Sequence, residues 1–158
     1  MSKPRDAAAV RFPPPLIPLA TILLGGLLDR DWPIDPGFEL SRPIRYVVGG
    51  LIVTCALTIV SWAIAHFRLR GQDEKPWTPT TAIVGAGPYR FTRNPMYLGM
   101  VILCIGAAIL LTNWWILALT PLCALALWVF AIRPEEAYLE SKFGEGYRSY
   151  KRRVRRWL

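Results

Sequence analysis

The sequence predicts an all-α, polytopic integral membrane protein: about four transmembrane helices, a helical hairpin and a cytoplasmic amphipathic C-terminal helix. Three observations carry that expectation. Hydrophobic residues make up 53% of the 158-residue chain, too many for an ordinary soluble domain of this length. From Tyr97 to Ile132 the only ionisable groups are the Tyr97 hydroxyl and two cysteines. Basic excess then alternates from one polar segment to the next, as the positive-inside rule requires of a chain that crosses an even number of times.

Taken in order, the first apolar segment, 12–28, opens with Pro13-Pro14-Pro15 and is short for a span. It reads as a short span, a re-entrant segment or a cleaved signal. The signal reading is disfavoured, because Asp29-Arg30-Asp31-Trp32 follows where a small-x-small cleavage site would stand. The second span, 45–67, carries Gly49-Gly50 and other small residues that admit close helix contact. As one helix, the 36 residues from Tyr97 to Ile132 would run roughly 54 Å against a hydrocarbon core of about 30 Å. A hairpin with spans 97–111 and 114–132 fits better, its turn at Thr112-Asn113 and Trp114-Trp115 at headgroup level. The stretches 68–96 and 133–158 become a cytoplasmic loop and tail, and residues 1–158 form a single domain.

Charge supports this topology. Lys3, Arg5 and Arg11 against Asp6 leave +2 on the N-terminal arm, whereas the segment from Asp29 to Arg45 carries −1. The segment from His66 to Arg93 carries +3 and the tail from Arg133 carries +4. Membrane topology and contact with anionic lipids account for the net +8, so no nucleic-acid partner is needed. Cys55, Cys104 and Cys123 fall inside predicted spans without metal or pairing spacing; they read as small packing residues, and no metal is expected.

Two polar stretches hold the candidate chemistry. In the first, Gly85-Ala86-Gly87-Pro88-Tyr89-Arg90 leads to Arg93-Asn94-Pro95-Met96-Tyr97, combining backbone freedom, rigid prolines and two arginines able to bind a carboxylate or phosphate. In the second, Arg133-Pro134-Glu135-Glu136 opens a helical segment, with the two acids expected in a first turn where the helix dipole favours them. Leu139 and Phe143 share the Glu136 face, so Glu136 is expected to turn inward and to need a cation: Arg133, Arg90, Arg93 or a ligand. Gly144 and Gly146 are expected to break this helix. Beyond them Tyr147, Tyr150, Val154 and Trp157 recur at helical spacing opposite Arg148, Lys151, Arg152, Arg155 and Arg156, the pattern of a basic surface helix. His66 reads as an interfacial residue.

These paired motifs, Gly87-Pro88-Tyr89-Arg90 with Arg93-Asn94-Pro95-x-Tyr97-x-Gly99 and Arg133-x-Glu135-Glu136 with Phe143-Gly144-x-x-Tyr147-x-x-Tyr150, resemble the isoprenylcysteine carboxyl methyltransferase family. The likeness covers Pro76 to Leu158 and extends to phospholipid N-methyltransferases, whose cofactor site has a Gly-x-Gly and a Glu-Glu element, here Gly85-x-Gly87 and Glu135-Glu136. The resemblance implies S-adenosylmethionine as cofactor and a lipophilic substrate entering from the bilayer. The implied cofactor-binding set is Gly85, Gly87, Tyr89, Arg90, Arg93, Asn94, Pro95, Tyr97, Glu135, Glu136 and Tyr147; Arg133 and Glu136 are the implied catalytic residues. Asn94 stands where the family usually has His, and cannot carry a proton. The acceptor stays open between a carboxylate, an amine and a thiol. Other readings are a phospholipid N-methyltransferase, a shortened relative of NADPH-dependent sterol reductases, and a non-enzymatic membrane scaffold.

Overall fold

The computed structural model describes residues 7–10, 12–36, 40–71, 73, 75 and 78–158. Most of the N-terminal arm counted above (Lys3, Arg5, Asp6 and Arg11), together with Glu39, Glu74 and Pro76-Trp77, lies outside them. Among the described residues the regular elements are all helical: α1 Leu16–Asp31, α2 Arg42–Arg68, α3 Pro95–Leu111, α4 Trp114–Leu127, α5 Arg133–Phe143 and α6 Glu145–Arg153. A short 3₁₀ turn spans Gly87–Arg90, and a π-helical turn, Trp128–Ile132, joins α4 to α5.

α1 starts later and ends later than the 12–28 expected. The residue before a proline is pushed out of the helical region, so the three prolines hold the start back to Leu16, whose N–H donates to the Pro13 carbonyl. Two helical runs are long and apolar enough to cross a membrane: Arg42–Arg68, with 27 residues, and Trp114–Phe143, with 30. α3 is apolar but shorter, at 17 residues, and α1 has 16. Large apolar side chains point outward; Leu23, Leu51, Leu111 and Leu122 are each at least 60% exposed. An exposed apolar exterior of this kind marks contact with lipid or with another protein.

Packing is antiparallel and close. α2 lies along α3, α3 along α4, and α4 along α1. A Cβ on Gly99 would sit 2.5 Å from Val60 Cγ2 and 3.0 Å from the Ala56 carbonyl oxygen, and one on Gly106 2.7 Å from Val53 Cγ2. Gly25 meets Ile116 in the same way on the α1–α4 seam. The core between these seams holds Cys104, Ile116, Leu127 and Ile132. Cys104 and Cys123 touch, with their Sγ atoms 4.0 Å apart, whereas Cys55 is exposed. Of the expected pair Gly49-Gly50, Gly49 faces Leu110 and Gly50 faces open space.

The hairpin turns where expected. Thr112 adopts φ 52°, and Asn113 caps α4 by accepting the Ile116 N–H at 2.9 Å while its Nδ2 donates to the Gly25 carbonyl at 3.1 Å. Trp115 Nε1 donates to the Trp32 carbonyl at 2.5 Å, and Arg45 Nη1 to Thr112 Oγ1 at 2.6 Å. One polar cluster thus closes this end of the bundle.

At the other end two expectations are corrected. Glu135 and Glu136 do not open a fresh helix: Ile132 and Arg133 are themselves helical in φ and ψ, so the run is continuous and offers no free helix start. Pro134 has no N–H for the preceding turn, and the wide π turn just before it accommodates its ring. The surface helix is also shorter than its spacing suggested. Gly146 lies inside α6, the break falls at Gly144 alone with φ 53°, and Val154 turns extended. The last residues run beside the loop, with Thr92 and Arg155 forming an isolated parallel bridge.

Gly99→Ala is expected to destabilise the fold by about 1–3 kcal/mol, because its methyl meets α2 backbone that cannot swing aside. Gly50→Ala should be neutral or slightly stabilising, as alanine is the better helix former. Thermal unfolding of the two variants in detergent checks the difference.

Candidate active site

A cleft, part of it open to solvent, lies at the polar end of the bundle between the loop, the start of α3, α5 and α6. Tyr89, Arg93, Asn94, Pro95, Tyr97, Glu135, Glu136 and Tyr147 all line it. Each arrives by a different local device. The 3₁₀ turn at Gly87–Arg90 buries Tyr89. Pro95 starts α3 and sends Tyr97 inward, where its hydroxyl donates to Glu135 Oε1. α5 runs beyond the apolar span and buries Glu136 to 7% exposure. α6 turns Tyr147 and Tyr150 inward instead of onto a membrane surface, leaving Arg148 and Arg152 exposed on its other side.

Four expected residues lie elsewhere. Gly87, at φ 60°, lets the turn sit on the His66 ring: a Cβ there would stand 2.6 Å from Nε2. Gly85 passes over the Tyr150 ring. Arg90 is exposed and borders a separate shallow cleft with Arg153. The three-residue spacing of Arg90 and Arg93 does not give them a shared face: the 3₁₀ turn ends at Arg90, which is exposed, whereas the Arg93 side chain is buried in the cleft. Arg133 is exposed too, its guanidinium over the Trp128 ring at 5.5 Å.

The cation for Glu136 comes in two parts. Arg93 Nη1 stands 3.4 Å from Glu136 Oε1, with both side chains more than nine-tenths buried. Arg156 grips the carboxylate with both arms of its fork, Nε to Oε1 at 3.1 Å and Nη2 to Oε2 at 2.8 Å. Sequence spacing missed Arg156 because a helix through Val154 would have turned it outward. Its inward aim follows from the extended backbone there, which Thr92, Arg93 and Asn94 secure: Arg93 N–H donates to the Arg155 carbonyl, and Thr92 Oγ1 and Asn94 Nδ2 both donate to the Arg156 carbonyl. Asn94 thus ties loop to tail, a task that requires no proton on its side chain.

Electrostatics sort the remaining groups. Burial, then the nearby Glu135, holds the Tyr89 hydroxyl well above the usual tyrosine range. Burial and Glu136 push Tyr147 up likewise, and Tyr150 rises to about 12 by burial. All three remain neutral donors at physiological pH. Tyr150 donates to the Tyr89 carbonyl at 2.7 Å, whereas the Tyr89 hydroxyl and the Nε and Nη1 of Arg93 are buried without a hydrogen-bond partner among the described residues. At the rim Glu140 is held below the usual carboxylate range by Lys151 and Arg148. No cluster of metal-ligating side chains occurs among the described residues.

A family model described as phospholipid methyltransferase matches residues 44–146. The chain is 40% identical over 75 residues to the protein-S-isoprenylcysteine O-methyltransferase of Schizosaccharomyces pombe, covering 46% of this chain and 30% of that protein. It is 33% identical over 118 residues to the Xenopus laevis protein of the same name, covering 70% and 37%. A stretch of 29 residues is 69% identical to an uncharacterized protein of Haemophilus influenzae, covering 18% and 46%. The chain spans less than half the length of each of these relatives. No solved structure matches.

Glu136→Gln removes the single carboxylate facing Arg93 and Arg156, and is expected to destabilise the fold by about 3–5 kcal/mol. Glu140→Gln, at the rim, should leave the unfolding midpoint nearly unchanged. A comparable drop for both variants in a thermal melt would contradict the burial of Glu136.

Proposed function

The chain belongs to the phospholipid methyltransferase family, and on that premise we propose that it is an S-adenosylmethionine-dependent membrane methyltransferase acting on a lipophilic acceptor. The observation that carries the reading is the buried Arg93 guanidinium, which faces the cleft with Nε and Nη1 unbonded. Buried donors without hydrogen-bond partners are costly, and a ligand carboxylate in the cleft would give this guanidinium a charged acceptor. The residues present fit the cofactor on other counts as well. Its ammonium would find Glu135, and its nucleoside would lie among Tyr89, Tyr147 and Leu139, all in the lining.

When bound, the cofactor supplies an electrophilic methyl group on a sulfonium. The protein's own part is to hold, orient and dry. Arg93 fixes the amino-acid end, and the apolar lining excludes water, which favours a displacement that neutralises charge. Glu136, with both oxygens held by Arg156, keeps the arginines in place. Glu135, beside the Tyr97 hydroxyl, is the carboxylate able to take a proton from an amine or thiol acceptor; a carboxylate acceptor needs none taken. Arg133 stands at the rim over Trp128, where an acceptor's polar head would arrive from the bilayer. The acceptor class within that range is left open, phospholipid amines included.

For topology the proposal is four spans, α1, α2, α3 and the α4 run, with both termini and the cleft in the cytoplasm. The charge alternation supports it, as does the length of the last run: 30 residues reach about 45 Å and carry α5 beyond a hydrocarbon core of about 30 Å. Exposed Arg148, Arg152, Arg153 and Arg155 would then face anionic lipid headgroups.

S-adenosylhomocysteine is expected to bind the detergent-purified protein, and Arg93→Gln to weaken it roughly ten- to hundredfold, the worth of a charged hydrogen bond in a dry site. Titration calorimetry checks this; undiminished binding by the variant would overturn the reading. Arg133→Lys should leave that affinity intact but lower the methyl-transfer rate at saturating cofactor, since lysine lacks the planar fork. Normal turnover would make Arg133 an interfacial residue only.

A further inference from the structure

Glu136 has two guanidinium neighbours but is hydrogen-bonded by only one of them. Arg156 occupies both carboxylate oxygens, at 3.1 and 2.8 Å. Arg93 lies close enough for an ion pair, at 3.4 Å, yet its Nε and Nη1 make no hydrogen bond to the described residues. The Arg156 fork holds one acceptor direction on each oxygen and so fixes how the carboxylate is turned relative to Arg93. We infer that Arg156 is a positioning residue: it holds Glu136 off Arg93 and thereby keeps the Arg93 guanidinium open for the carboxylate of the bound cofactor. This rests on the cofactor reading above and adds to it the means by which the anion subsite stays available.

The geometry around Arg156 suits that task. Its carbonyl is held by Thr92 Oγ1 and Asn94 Nδ2, each at 3.0 Å, and the neighbouring Arg155 carbonyl by the Arg93 N–H at 2.9 Å. Trp157 packs against the helical core, and the Trp128 ring lies 5.9 Å from the Arg156 guanidinium carbon. One residue therefore grips the Arg93 segment through its backbone and the α5 carboxylate through its side chain. The backbone grip is independent of the guanidinium, so changing the side chain leaves the tail attached. Without that side chain Glu136 has one cation left to turn to, and the ligand's carboxylate must compete with it for Arg93.

The test compares two ligands that share a nucleoside: S-adenosylhomocysteine, and 5′-methylthioadenosine, which lacks the amino-acid end. Affinities are measured for the wild type, Arg156→Lys, Arg156→Gln and Arg156→Gln/Glu136→Gln. Arg156→Gln should weaken S-adenosylhomocysteine about tenfold or more while moving 5′-methylthioadenosine by no more than about twofold. Arg156→Lys should fall between it and the wild type. The double variant should regain most of the lost affinity, because no carboxylate remains to occupy Arg93. Methylthioadenosine binding also reports folding, and the selectivity of the single-variant losses decides the matter even where the double variant does not fold. Equal loss of both ligands would make Arg156 a structural strut and overturn the inference, and so would unchanged affinities. A wild type that binds neither nucleoside would overturn the cofactor reading along with it; wild-type binding with an indifferent Arg156 series overturns this inference alone.

Discussion

The polar end of this molecule is organised around one buried carboxylate. Glu136 arrives on α5, Arg93 on the loop before α3, and Arg156 on the last residues of the chain, so three segments distant in sequence converge on a single negative charge. Apolar packing holds the helices together, but it cannot specify how a loop and a tail sit over their ends. A buried ion pair is seldom a large net source of stability, since desolvation offsets most of the attraction. Its effect here is positional: any arrangement that parts the three groups leaves a charge buried without its partner, which is far worse than the pairing itself.

The opposite end is closed by hydrogen bonds, with Arg45 donating to Thr112. Asn113 bonds both α4 and the Gly25 carbonyl, and Trp115 reaches the Trp32 carbonyl. The Ile116 N–H is one of the donors that a helix start leaves over. The two ends thus differ: one is sealed by hydrogen bonds, while the other keeps a cleft.

Much of this was legible in the chain. A charge-free stretch too long for one span forces a hairpin, and Asn113 is a strong cap, so the turn at Thr112-Asn113 could be read directly. The inward aim of Glu136 followed from the apolar residues sharing its face. What escaped were features in which backbone geometry overrides spacing. Gly85 and Gly87 signalled conformational freedom, but that freedom serves contact with Tyr150 and His66. Tyr147, Tyr150, Val154 and Trp157 continue a helical period past Arg153, where the helix stops because the loop offers the tail bonding partners that outcompete another turn. Arg156 was therefore placed on the wrong side.

The π turn at Trp128–Ile132 has a consequence for phase. Through α4 and into the turn the buried positions run Ile116, Thr120, Cys123, Leu127 and Ala131; from Ile132, the last residue of the turn, they run on to Glu136. The stripe slips by one residue, equivalent to about 100° of rotation. Uninterrupted α-helix would have carried the inward direction on from Ala131 to Glu135, and Glu136 would have swung away from the arginines. The wide turn acts as an angular offset: it lets one continuous rod show an apolar seam to its neighbours in one half and a carboxylate to the cleft in the other half, with no loop between them.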